Sequence, residues 1–408
     1  VASDLGGGAD ASEAEDPLER RSTDRLVSRL SWVVFLEWMG AGVILPLLPL
    51  YLRDRGISPA YVGITMAAFY LAGLCTQYPA GRLVDRVGRR PILIGGLALY
   101  AVSSLGYLLP SSAIGFIVLR FAQGAAAGAV EVAALALVSS AIPIERRGRA
   151  TSRIYSAMFV GIFIGPVIGA LVGVGRMGLL FTLTAVLCIL ASIPVITSAV
   201  IKAHDKVHLE EREELVRIVP NNALYGAMLL GVTLGLVTGV YEACWTLLLV
   251  FRHASQLQIG LSWAVFSLPY IFLIRASGWA ADHMDRRVLA IGGVAISMAM
   301  FLTWPHLTSV NLMIALNVVE SVAFSMILPS TQSMLTQGRA PAELGRIQGI
   351  YATASTASIT LAAAGSGFLF AVGPAVPFVT TAPLVAAAAI AAGLLWRSVP
   401  GRVSQGAG

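Results

Sequence analysis

The 408-residue chain is 57% apolar and only 12% charged, against roughly a quarter charged in ordinary soluble domains, which excludes a water-soluble globular core. Its net charge of +6 does not point to nucleic acid, because phosphate-binding residues cluster on one face or stripe and here the basic residues recur in short loops. The three cysteines, Cys75, Cys188 and Cys244, all fall inside apolar stretches, so neither a disulfide framework nor a metal site is implied.

Residues 1–29 are rich in Gly, Ala, Ser, Asp and Glu and are expected to form a disordered cytoplasmic tail. No early apolar run marks a signal peptide. Twelve apolar segments follow, each near the length of about 20 residues that a bilayer requires: 31–52, 60–80, 91–110, 113–141, 154–174, 178–201, 223–251, 257–280, 288–304, 310–336, 349–372 and 376–396. The ninth, running into Trp304-Pro305, is the shortest. The expected organisation is a six-helix bundle over 30–201, a cytoplasmic linker over 202–220, a second bundle over 221–396 and a short tail over 397–408. The linker carries Glu210-Glu211-Arg212-Glu213-Glu214, read as a short surface helix. With the N-terminus inside, 22 of the 28 basic residues fall in inner loops and tails. Retention of positive charge in cytoplasmic loops therefore predicts that both termini are cytoplasmic.

Between the second and third segments lies a charged turn, Gly81-Arg82-Leu83-Val84-Asp85-Arg86-Val87-Gly88-Arg89-Arg90. A weaker copy appears between the eighth and ninth, where Gly278, Asp282 and Arg286-Arg287 answer Gly81, Asp85 and Arg89-Arg90 at a constant offset of 197 residues. The same offset carries Gly63 onto Gly260, Phe69 onto Phe266 and Gly148-Arg149 onto Gly345-Arg346. One register across several loops marks a tandem duplication, a common architecture of secondary transporters.

The 81–90 turn resembles the loop motif of the major facilitator superfamily, and the whole pattern is similar to its twelve-helix drug:proton antiporters. The resemblance implies an all-α membrane protein of two pseudo-symmetric six-helix bundles. It also implies that Gly81, Asp85, Arg86 and Arg89, with Asp282 and Arg286 in the copy, form a conformational latch. In the family, the aspartate faces the N-terminus of the eleventh helix and holds the outward-facing state. Such a contact contributes about 0.3–1 kcal/mol when exposed.

In the fourth segment, Leu119-Arg120-Phe121-Ala122-Gln123-Gly124 resembles the motif around a membrane arginine associated with proton transfer. A guanidinium at that depth costs at least about 2.5–3.5 kcal/mol and needs a partner or a wet cavity. In the fifth, Gly161, Gly165, Pro166 and Gly169 resemble the antiporter motif, and their spacing makes a smooth stripe for close helix packing.

Four glutamates lie in the spans: Glu37, Glu131, Glu242 and Glu320. They occupy the first, fourth, seventh and tenth segments, which in the resembled fold line the central cavity, and intramembrane acids are functional hypotheses by default. Trp38, Tyr241 and Trp245 stand beside them and suit organic cations through cation–π attraction. With Glu242, Glu320 and Asn317 they make the expected substrate-binding set. Counting helical rise places Arg120, Glu242 and Glu320 roughly 12–15 Å below the outer surface, Glu37 about 12 Å and Glu131 about 15–20 Å from the inner one. Arg120 is then the expected counter-ion of Glu242 or Glu320. Glu37 and Glu131, with no nearby cation, are the expected proton carriers, Arg120 completing the proton-coupling set.

The sequence thus predicts a proton-coupled exporter of lipophilic small molecules, cations among them. It predicts an integral protein of the plasma (inner) membrane and a monomer, with protons as coupling ion and no cofactor, metal or nucleic acid. No nucleophile–base pair, phosphate loop or metal cluster marks an enzyme. The alternatives are a proton-linked uptake carrier for a metabolite and a non-transporting receptor on the same scaffold.

Overall fold

The structure, a computed structural model, describes residues 17–109, 112–142, 144–203, 219–339 and 341–401, and these are helical with no strand among them. The first half contributes α1 (Pro17–Ile44), α2 (Leu48–Asp54), α3 (Pro59–Val87), α4 (Arg89–Gly106), α5 (Ala113–Ala141), α6 (Ile144–Val172), α7 (Met177–Thr197) and α8 (Ala199–Ala203). The second contributes α9 (Asn222–Val240), α10 (Thr246–Phe251), α11 (Gln256–His283), α12 (Arg286–Thr303), α13 (Val310–Thr336), α14 (Pro341–Val372) and α15 (Val376–Trp396).

Local chemistry sets several boundaries. The side chains of Ser112, Asn221 and Ser309 each accept from a backbone N–H three residues on, capping α5, α9 and α13, and Ser255 with Gln258 forms a reciprocal capping box on α11. Among the described residues eleven helical stretches are long and apolar enough to cross a membrane, with α1 and α2 forming one of them and α9 with α10 another. The expected third segment, 91–110, corresponds to α4, which falls outside that set: Arg89-Arg90-Pro91 occupy its first turn and dilute an 18-residue run. The expected ninth, by contrast, is included, over Arg286–His306.

The tail reads differently from expectation. α1 starts at Pro17 rather than near residue 30, so 17–29 is helix. Leu26, Val27 and Leu30 recur on one face and are buried against Val84, Ile92, Leu137 and Ile201, which a stretch judged only by its polar composition conceals. The glutamate run 210–214 and its expected surface helix lie outside the described residues. At the other end 397–401 is docked: the Gly401 and Pro400 carbonyls accept from the Arg286 N–H at 3.0 Å and the Gln337 amide at 3.1 Å.

The duplication governs the packing. In the first half α1 packs on α6 and α7, α5 on α3 and α4, and α4 on α7; in the second α9 packs on α14 and α15, α13 on α11 and α12, and α12 on α15. The halves meet through α3 on α14 and α6 on α11, a pair that the repeat exchanges. The register holds to single residues. A Cβ on Gly96 would lie 3.0 Å from the Ala126 carbonyl oxygen and 2.7 Å from Val130, and one on Gly293 would lie 2.8 Å from the Ala323 carbonyl oxygen and 2.7 Å from Ile327. Between the halves, Gly63 abuts Ala363 and Gly367, while Gly260 abuts Pro166 and Ala170. Each residue in the second set lies 197 positions from its counterpart.

Candidate functional site

The halves enclose a cavity of about 410 Å3 whose walls include Trp38, Phe69, Tyr70, Arg120, Phe159, Tyr241, Glu242, Trp245, Trp263, Phe266, Tyr270, Asn317, Glu320, Phe324 and Tyr351. It lies between α1, α3, α5 and α6 of one half and α9, α11, α13 and α14 of the other. At the end away from the arginine-rich turns the halves are drawn together. There Gly63 touches Gly367, the Thr246 hydroxyl donates to the Pro46 carbonyl at 2.9 Å, and the Val174 N–H donates to Gln256 at 2.9 Å. At the arginine-bearing end an added Cβ on Gly81 or Gly278 would meet nothing within 4 Å.

Glu242 sits where α9 changes to a π-turn, Tyr241–Trp245, before continuing as α10. One extra residue per turn of this kind re-aims side chains and is common at functional sites. Glu242 and Trp245 are buried and both face the cavity. The Tyr70 hydroxyl, from the other half, is turned toward the Glu242 carboxylate, with Arg120 in electrostatic range, and Glu242 Oε2 has no hydrogen-bond partner among the described residues. Arg120 is 2% exposed, donates to Gln123 Oε1 at 3.1 Å and lies 4.4 Å above the Phe69 ring. Gln123 is held in turn by Tyr107 at 3.3 Å and Ser104 at 2.9 Å.

Glu320 is 1% exposed and has different company. It accepts from the Ser297 hydroxyl at 2.5 Å and neighbours Tyr241, whose hydroxyl accepts from Trp304 Nε1 at 2.7 Å, while its Oε2 has no hydrogen-bond partner among the described residues. The structure therefore sets Arg120 toward Glu242, and Glu320 is served by the Ser297 hydroxyl. Asn317 donates to the Ser262 carbonyl at 3.3 Å, and Trp245 donates to the Ser262 hydroxyl at 3.0 Å. In the repeat register Asn317 and Glu320 occupy the places of Arg120 and Gln123.

Glu37 and Glu131 lie apart from this group and close to each other. Glu37 is 3% exposed, its Oε1 has no hydrogen-bond partner among the described residues, and its charged neighbour is Glu131, whose side chain reaches open space. Trp38 remains half-buried in the cavity wall. Gly161, Gly165 and Gly169 turn toward α1: a Cβ on Gly161 would meet the Phe35 carbonyl at 2.6 Å, and one on Gly165 the Gly42 Cα at 2.8 Å. Pro166 packs its Cδ against Gly42.

Of the expected latch residues, Asp85 and Arg86 are exposed and Arg89 is half-buried. Arg286 is buried and donates to the Ala281 carbonyl at 2.9 Å. The side chain of Asp282 lies outside those described. The arginines next in sequence have a defined job that composition did not reveal. Arg90 donates to the Val195 and Ile196 carbonyls, at 3.1 and 2.6 Å, and Arg287 to those of Trp396 and Val399, at 3.2 and 3.0 Å. Each satisfies the C-terminal carbonyls of its half's last long helix, where a cation is favoured.

Tyr70, Gln123, Ser262, Ser297 and Trp304 were not anticipated. Of these, Gln123 alone carries a sequence signal, through the fourth-segment motif and through the repeat register that aligns it with Glu320.

A model of the Major Facilitator Superfamily matches residues 30–251 and again 229–408. An uncharacterised MFS-type transporter of Methanocaldococcus jannaschii is 23% identical over 349 residues, 83% of this chain and 89% of that one. Multidrug resistance protein 2 of Bacillus subtilis is 30% identical over 31% of each chain. The quinolone resistance protein NorA of Staphylococcus aureus is 28% identical over 28% of this chain and 30% of its own. Among solved structures, the nucleoside transporter NupG superposes with a TM-score of 0.77 at 12% identity, covering 91% of this chain and 100% of that one. A bacterial homologue of the human lysosomal transporter Spinster gives 0.75 at 13% identity, over 92% and 97%.

Proposed function

Because the chain belongs to the Major Facilitator Superfamily and is a membrane transporter, we propose that it exports lipophilic small molecules, organic cations among them, in exchange for protons. The observation that carries this reading is the aromatic cavity between the halves with Glu242 and Glu320 in its wall. Rings lining a cavity of this size supply apolar contact and cation–π attraction, and a buried carboxylate supplies the charge. The partial kinship to two drug-resistance proteins supports export over uptake.

In this scheme Glu242 receives the cationic group. Tyr70 and Arg120 occupy its carboxylate until substrate displaces them, so an empty site does not hold an uncompensated charge. Glu320, Asn317, Trp38, Tyr241 and Trp245 complete the substrate-binding wall. Glu37 and Glu131 carry the proton, since two neighbouring carboxyls without a cation between them cannot both ionise cheaply, and Arg120 couples the two events. The halves alternate access, with both termini cytoplasmic and the open end facing the cytoplasm. Gly81, Asp85 and the inner end of α14 close in the opposite state.

The test is accumulation of a labelled phosphonium cation and a neutral lipophile, in cells with and without the protein at two external pH values. Lower accumulation with the protein, more so at acidic external pH, is the expected result. The paired substitutions Glu37→Gln and Glu131→Gln should abolish the pH-dependent part while cation binding to purified protein persists. Intact proton-driven efflux in that double variant would remove the proton role from this pair.

A further inference from the structure

A second groove, of about 240 Å3, runs along the arginine-bearing end of α3 and is lined by Tyr78, Pro79, Arg82, Leu83 and Arg86. It lies away from the helix neighbours. Gly63 marks the side of α3 that meets α14, and Thr76, whose hydroxyl would lie 3.2 Å from a Cβ on Gly128, marks the side that meets α5. At about 100° per residue, Arg82 and Arg86 project from the remaining side, and all five lining residues are exposed. Tyr78 is 69% and Leu83 47% exposed. The Arg82 guanidinium lies 4.8 Å from the Tyr78 ring centre. Among the described residues neither Arg82 nor Arg86 makes an ion pair.

The second half repeats the arrangement with different side chains. Positions 78, 82 and 86 correspond to Arg275, Trp279 and His283. The Trp279 ring stacks on that of His283 with centres 4.5 Å apart, and Trp279 is 63% exposed. Both repeats thus set an aromatic ring beside a basic group on the same face, the pair in the second half lying one turn farther along its helix. Aromatic and basic side chains collect where a span passes from hydrocarbon to headgroups.

We propose that the α3 groove binds the phosphate of an anionic phospholipid. The charges of Arg82 and Arg86 attract the phosphate oxygens through charge-assisted hydrogen bonds, and Tyr78 and Leu83 lie against the glycerol and the first acyl carbons. The groove favours a lipid over a free phosphate ion because its rim continues into exposed Leu83 and Val87, a surface that a soluble ion would leave wet.

The experiment is retention of phosphatidylglycerol by the purified full chain, in nanodiscs of phosphatidylglycerol and phosphatidylcholine, read by native mass spectrometry. Each arginine near an anionic surface is worth about fivefold, so Arg82→Gln with Arg86→Gln should weaken retention roughly 25-fold. Arg82→Lys with Arg86→Lys should retain most of it, and Arg149→Gln, a charge loss elsewhere at the same end, should change it little. Equal loss in the Arg149→Gln and double-glutamine variants would overturn the site, since net charge alone would then explain the binding. So would unchanged retention in the double-glutamine variant, or competition by millimolar inorganic phosphate. A double-glutamine variant that failed to fold would transfer the decision to the lysine pair, where loss as large as 25-fold would also overturn it.

Discussion

The two halves have the same skeleton and opposite cavity chemistry. Where main chains touch, the repeats agree to the residue: Gly96 against Ala126 and Val130 matches Gly293 against Ala323 and Ile327. Around the cavity, the repeat register sets a cation and an amide, Arg120 and the buried Gln123 behind it, against an amide and an acid, Asn317 and Glu320, both in the cavity wall. Even the tightest helix pair is solved differently. In the first half the glycines are chiefly on α6 and receive α1, whereas in the second Gly231, Gly235 and Gly239 are on α9 and receive α14. Backbone approach tolerates only small residues, on whichever helix supplies them, so duplication fixes the frame and leaves the lining free to diverge.

The largest effect should come from filling those contacts. Gly165→Leu and Gly239→Leu each force a side chain into the facing main chain, where the nearest atoms would be within 2.5 Å of a Cβ. Overpacking of this kind costs about 1–3 kcal/mol or more, and both variants should lose most of the monodisperse fraction in detergent size-exclusion chromatography. Gly95→Ala and Gly292→Ala, corresponding positions with open space around them, should lose none. Tolerance of leucine at Gly239 alone would show that the second interface is looser than its counterpart.

An intermediate effect should separate the cavity walls. Arg120→Gln removes the cation near Glu242, and cation transport should fall at least about tenfold, which is about 1.4 kcal/mol. Asn317→Ala removes one neutral hydrogen bond, worth about 0.5–1.5 kcal/mol, and should fall less. Flux assays on reconstituted protein that ranked the two in reverse would make Asn317 the more important polar group.

The smallest effect is confined to one half. Arg287 grips Asp285 at 2.5 Å and holds its carboxyl below the usual aspartate range, whereas the corresponding position in the first half is Gly88. A depressed carboxyl contributes stability that is present above about pH 4 and lost as pH falls through its lowered value. Hydrogen exchange at 397–401 should therefore rise on acidification below about pH 4, with no matching rise at 195–198. Parallel behaviour at both sites would assign the change to the carbonyl caps that Arg90 and Arg287 share.

Much of this was legible in the chain because it is periodic or repeated. Segment lengths, the 197-residue register and the four membrane glutamates follow from spacing and from the rarity of charge in apolar stretches. The amphipathic start of α1 was hidden because Leu26, Val27 and Leu30 are diluted by the charged residues around them. The π-turn has no local sequence signature. The hydroxyls beside Glu242 and Glu320 come from other helices, and which Tyr or Ser reaches an acid is decided by helix rotation that periodicity in an apolar span leaves unspecified.

The glycine contacts at the closed end also have a mechanical consequence. Gly63 on Gly367 is a smooth bearing, without interlocking side chains, and its mate pairs Gly260 with Ala170, one methyl rougher. From Gly63 to Gly81, α3 is a rigid arm of about 27 Å. A tilt of about 10° at the bearing therefore sweeps the far tip through about 5 Å, which is a full helical turn. Little has to break at the fulcrum for the gap at the other end to change by the width of a side chain.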